Sequence, residues 1–128
     1  MLESYMHKES SFLTLTYAPE HIPSGGTLVP RDAQLFLKRL RKSISPVQIR
    51  YFLVGEYGDS TQRPHYHAAL FGIGIGFTDV VKEAWGRGHV MLGDLTLHSA
   101  QYIAGYTIKK MTQKGDPRLD GRHPVFGS

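Results

Sequence analysis

His65-Tyr-His67 sets two imidazoles two residues apart within a run, His65 to Gly72, that reads as a strand. Alternate residues of a strand project from one face, so both rings can converge on one cation. A pair of this kind arises easily by chance in a chain with seven histidines. Glu56 sharpens the reading, because it lies on the preceding strand, nine residues before His65. If Glu56 pairs directly opposite His65, with the turn over Asp59 to Gln62, then Glu56, His65 and His67 share one face. Two imidazoles and a carboxylate leave positions for water and substrate oxygens, a set that suits Mn²⁺, Mg²⁺, Fe²⁺ or Zn²⁺. The alternative is a partly buried Glu–His ion pair.

Tyr102 and Tyr106 are four residues apart on a predicted helix, so they share a face, away from an apolar stripe of Ala100, Ile103, Ala104, Ile108 and Met111. Lys109 continues the tyrosine face one turn on, and Lys110 flanks it. Tyrosines at helical spacing commonly pack. A phenol, with a pKa of about 10, becomes a nucleophile only when a cation lowers that value or a base takes its proton. A nearby lysine can do the former, or stabilise charge developing on a phosphate oxygen. One tension follows: an apolar stripe laid on the sheet would turn the tyrosines away from the metal, unless the helix sits beside the site or buries less than its pattern suggests.

The positioning elements are readable. Phe12 to Tyr17 alternates apolar and hydroxyl residues, as a half-buried strand does. A helix follows Pro30, with Ala33, Leu35, Phe36, Leu37 and Leu40 apolar, and Pro46 ends it. Val47 to Tyr57 and His65 to Gly72 form a hairpin around the turn at Gly58 to Pro64. Gly72, Gly74 and Gly76 lack the companions of a phosphate-binding loop and read as a bulged connection. A short helix to Trp85, capped by Thr78 or Asp79, a strand from Gly88 to Leu95 and a helix from Ser99 to Met111 complete the pattern, and 114–128 reads as a loop-rich tail. The order β-α-β-β-α-β-α, with its central hairpin, disfavours a parallel sheet and fits an α+β, ferredoxin-like split-βαβ sandwich with a central antiparallel sheet.

The 128 residues suffice for one domain, and the absence of cysteine excludes disulfides, thiolate metal sites and a cysteine nucleophile. The longest apolar stretch, Ala68 to Phe77, is ten residues with three glycines, too short to span a membrane. Met1 to Met6 lacks the pattern of a signal peptide, so a cytoplasmic setting is expected. The net charge of +4 is unevenly spread. Arg31, Lys38, Arg39, Arg41, Lys42 and Arg50 face only Asp32 within 31–50, and 109–122 is a second basic island. Such islands suit a polyanion. Lys38, Arg39, Arg41 and Lys42 form one basic helix face, a candidate for phosphate contacts or for plain solvation.

Phe12-Leu-Thr-Leu-Thr-Tyr17, Gly55-Glu-Tyr-Gly58, Arg63-Pro-His-Tyr-His-Ala-Ala-Leu-Phe-Gly72 and Tyr102-Ile-Ala-Gly-Tyr-Thr-Ile-Lys-Lys110 occur in the order seen in HUH endonucleases. Together they most resemble the replication initiators of microviruses, small circular single-stranded DNA phages. The resemblance implies an HUH fold and a DNA nickase of rolling-circle replication. It implies that His65 and His67 bind the metal with Glu56, that Tyr102 and Tyr106 are the nucleophiles, and that Lys109 assists. The ion expected with this activity is Mn²⁺ or Mg²⁺, and Lys38, Arg39, Arg41, Lys42 and Lys110 are the expected DNA contacts. The implied product is a 5′-phosphotyrosyl enzyme with a free 3′-hydroxyl. The implied partner is single-stranded DNA at a replication origin, in the cytoplasm of a bacterial host. No helicase or P-loop motif is present, so host helicase and polymerase are expected partners. Members of this group run longer, and residues 1–128 read as one nickase domain trimmed from a longer chain. Two other functions fit the residues: a non-catalytic ferredoxin-like nucleic-acid-binding module, and a non-haem iron enzyme with the same two-His-one-carboxylate set.

Overall fold

The computed structural model describes the backbone of residues 9–57, 63–112 and 125–127, and side chains through residue 105. Its elements are β1 (Ser10–Thr16), α1 (Pro30–Ile44), β2 (Arg50–Tyr57), β3 (Pro64–Phe71), α2 (Thr78–Trp85), β4 (Val90–Asp94), α3 (Leu97–Thr112) and β5 (Val125–Gly127). The strands form one antiparallel sheet in the order β4-β1-β3-β2-β5. This is the expected α+β sandwich, with the two strands flanking α1 separated by β3. The turn expected at Gly58 to Pro64 falls largely on 58–62, outside the described residues.

Period-2 patterning gives the sheet two different faces. On one, Leu13 and Leu15 of β1, Leu53 of β2 and Tyr66, Ala68 and Leu70 of β3 are buried under Phe36, Leu37 and Leu40 of α1 and Val81, Ala84 and Trp85 of α2. Trp85 anchors this core: its indole N–H donates to the Thr16 carbonyl at 2.8 Å, and its ring meets Tyr17, Phe36 and Tyr66. Gly86, at φ 61°, ends α2 in the left-handed conformation that glycine adopts without a Cβ clash, and its N–H caps the Lys82 carbonyl. Thr78 is the first residue of α2, and its hydroxyl donates back to the Ile75 carbonyl at 2.6 Å instead of capping the helix. Gly72, at φ 121°, passes so close to the Gln48 carbonyl that a Cβ could not be accommodated, which makes the glycine run a packed crossing.

The opposite face carries Glu56, His65 and His67, and α3 lies across its β2–β3 half. Ile103 is buried there against Val54 and Ala69, with Phe12, Phe52, Phe71 and Leu95 around it. A reciprocal cap starts α3: the Ser99 N–H donates to Thr96 Oγ1 at 3.1 Å, and the Thr96 N–H donates to Ser99 Oγ at 2.9 Å. The helix therefore begins two residues before the predicted Ser99. Thr96→Ala is expected to cost about 1 kcal/mol in chemical denaturation, because it leaves a first-turn N–H without its partner.

The tail departs from the reading as loop. Val125–Gly127 pairs with Leu53–Gly55 and extends the sheet beyond β2. Three residues are too few to show alternation, and the open edge of β2 decides their conformation.

Candidate active site

The site is built on the β2–β3 hairpin. Glu56 pairs directly with His65, as the spacing predicts, and the alternation of β3 returns His67 to the same face. Their ligand atoms all lie within 4.8 Å of one another. Glu56 is buried, and its Oε1 accepts from His65 Nε2 at 2.6 Å and His67 Nε2 at 3.1 Å. Burial by itself would push the Glu56 pKa up. Hydrogen bonds and charge attraction from His65 and His67 outweigh it and hold the carboxyl well below its ordinary range. Glu56 is thus ionised throughout the neutral range.

Both imidazoles are oriented from behind. His65 Nδ1 donates to the Arg63 carbonyl at 3.1 Å; a carbonyl only accepts, so Nδ1 carries the proton and Nε2 is the nitrogen available to a cation. His67 Nδ1 lies 3.0 Å from Thr14 Oγ1, and its ring stacks on Phe12 with centroids 5.3 Å apart. Thr14 sits opposite His67 on β1. The donor set therefore fits a divalent ion: a charged carboxylate and two Nε2 atoms, each imidazole held by a partner on its far nitrogen. Thr14 and the Arg63 carbonyl escaped sequence reasoning. Alternation places Thr14 on a face, but its partner depends on a β1–β3 pairing between distant segments.

Tyr102 reaches this centre from α3. Its hydroxyl donates to Glu56 Oε1 at 3.0 Å and lies 3.2 Å from Oε2, and its ring meets His67 edge-on. The expected tension between apolar stripe and tyrosine resolves through shallow packing: Ile103 is buried, while Ala104 is exposed and Tyr102 is 44% exposed. Two other tyrosines are poorly suited to attack. Burial foremost pushes the Tyr17 and Tyr66 phenols up, and Tyr66 projects into the α1–α2 core.

The remaining predicted site residues divide. The backbones of Tyr106, Lys109 and Lys110 continue α3, and their side chains lie outside the described residues. Lys38, Arg39, Arg41 and Lys42 are exposed on α1, across the sheet from Glu56, and so are not brought to the centre. Arg39 also donates to the Ala84 carbonyl at 3.2 Å, and the Arg41 guanidinium lies over the Tyr51 ring.

Residues 10–114 match the family of the replication-associated protein ORF2. The chain belongs to this family. Among its replication-associated relatives, VP4 of Bdellovibrio phage phiMH2K is 33% identical over 98% of this chain and 46% of its own length. ORF2 of Spiroplasma virus 4 is 33% identical over 84% of the chain and 40% of its own length. ORF4 of Chlamydia phage 1 is 33% identical over 85% and 33%, respectively. The chain thus spans less than half the length of these replication-associated proteins. No solved structure matches it significantly. The residues matched to the family include Glu56, His65, His67, Tyr102 and Tyr106. No helix among the described residues is long and apolar enough to cross a membrane.

Proposed function

We propose that this chain is the nicking domain of a phage replication initiator, acting on single-stranded DNA at an origin in the host cytoplasm. The observation that carries the reading is the Tyr102 hydroxyl at hydrogen-bond distance from the carboxylate that joins both histidines. Neither a plain binding module nor a non-haem iron site calls for a half-exposed phenol there. The replication-associated names of the relatives support the biological setting.

Glu56, His65 and His67 would hold Mn²⁺ or Mg²⁺, which supplies positive charge beside the scissile phosphate and lowers the cost of forming a phenolate. Glu56 orients the Tyr102 hydroxyl but, held at so low a pKa, is too weak a base to ionise a phenol unaided. The Tyr102 oxygen attacks phosphorus in line. The new Tyr–O–P bond replaces the bond to the 3′-oxygen, which leaves as a 3′-hydroxyl that a host polymerase can extend. Tyr106, one helical turn on, takes a second strand in the next exchange, and Lys109 stabilises charge on phosphate oxygens. Lys38, Arg39, Arg41 and Lys42 contact DNA phosphates flanking the cut strand, and Lys110 contacts them near the tyrosines. Unwinding falls to a host helicase.

The test is incubation with Mn²⁺ and single-stranded oligonucleotides, followed by a denaturing gel. A covalent protein–DNA adduct is expected, and its absence across origin-derived substrates overturns the nickase reading. Binding should also weaken with salt, by roughly 50-fold between about 50 and 200 mM for an interface of about four phosphates. A flat response would exclude a phosphate-driven interface.

A further inference from the structure

We propose that the cleft beside His65 is a nucleotide subsite, which seats the nucleotide adjoining the phosphate at the Glu56–His65–His67 centre. The assignment rests on the single-stranded DNA reading above and adds a place for one base and its phosphate. Thr16 pairs with His65, and its N–H donates to the His89 carbonyl at 3.0 Å, which continues the β1–β4 ladder. His89, Thr16, His65 and Glu56 therefore stand in one row across four neighbouring chain segments. Since α3 packs mainly over β2 and β3, the β1–β4 half of this face is left open, and Met91 there is 71% exposed.

A cleft of about 500 Å³ opens along this row, within the roughly 300–1,000 Å³ typical of small-molecule sites. His65 lines both it and the metal centre, so an occupant abuts the reacting phosphate. Its wall has two chemistries. Pro19, Ile22 and Pro64 offer apolar surface for the faces of a base, whereas Arg63 and His89 offer nitrogen donors for a phosphate. Among the described residues no carboxylate lines it. A bare anion would leave the apolar wall unused, and an uncharged apolar ligand would desolvate Arg63 without compensation. A nucleotide satisfies both halves.

His89→Ala and Ile22→Ala test the subsite, with a mixed-sequence single-stranded oligonucleotide as the probe. His89 is exposed, and its backbone bond to Thr16 survives the change, so that variant folds even if loss of Ile22 loosens the core edge. Each variant is expected to bind the oligonucleotide about tenfold more weakly. Mn²⁺ affinity, measured separately by calorimetry, should not change. Thymidine 5′-monophosphate should compete at concentrations where inorganic phosphate does not. Wild-type oligonucleotide affinity in both variants overturns the subsite, as does a parallel fall in Mn²⁺ binding or equal competition by phosphate. A normal tyrosine adduct alongside unchanged affinity removes the subsite and leaves the nickase. Weakened binding without any adduct in the wild type removes the nickase and leaves the subsite.

Discussion

Replacing His67 with alanine is expected to abolish Mn²⁺ binding and, with it, DNA cleavage, while the chain stays folded. His65→Ala should do the same. Each ring supplies one Nε2 to a three-residue donor set, so losing one leaves an imidazole and a carboxylate, too few to hold a labile divalent ion firmly. The expected loss exceeds the about 10–100-fold that removal of a supporting outer partner costs. Thr14→Val calibrates that scale, because it keeps the side-chain shape and removes only the group facing His67 Nδ1. It should weaken Mn²⁺ binding by about 10–100-fold. Folding is spared because both histidines project away from the α1–α2 core. Calorimetric titration with Mn²⁺, beside circular dichroism for folding, decides the point, and wild-type affinity in both histidine variants would withdraw the metal assignment.

The parts of this site legible in the sequence are those set by local periodicity. The hairpin register follows from two short-range facts, the alternation around His65-Tyr-His67 and the spacing to Glu56, and the pairing found is the one predicted. The alternation of β1 likewise survives in its burial. Three features depend on pairing between distant segments and carry no local signal. Thr14 meets His67 only because β1 adds beside β3. The basic face of α1 lies across the sheet from Glu56, a consequence of which sheet face α1 covers. Finally, α3 has a broad apolar stripe in sequence but buries Ile103 and leaves Ala104 exposed. That shallow seating lets a residue beside the stripe reach the metal centre, where a deeper one would turn it outward.

Tyr102→Phe is expected to remove the adduct at residue 102 while scarcely disturbing the fold. The change deletes one hydroxyl on a half-exposed ring and leaves the edge-on contact with His67 in place. Its stability cost should be about 1 kcal/mol, that of one hydrogen bond. Mn²⁺ binding should persist, since the phenol is not among the three ligands. Tyr106, one turn further along α3, should retain some cleavage in the single variant, although strand transfer that needs both phenols should fail. With Tyr102 and Tyr106 both changed to phenylalanine, no nucleophile is left on that face, and cleavage should fall by about 10⁴-fold or more. Residual cleavage in the double variant at the wild-type rate would favour direct attack by water. Peptide mapping of the trapped adduct gives the sharper answer: a nucleotide carried on any residue other than Tyr102 or Tyr106 refutes the assignment. Attachment at Tyr102 in the wild type, shifting to Tyr106 in Tyr102→Phe, would show that both phenols reach one phosphate.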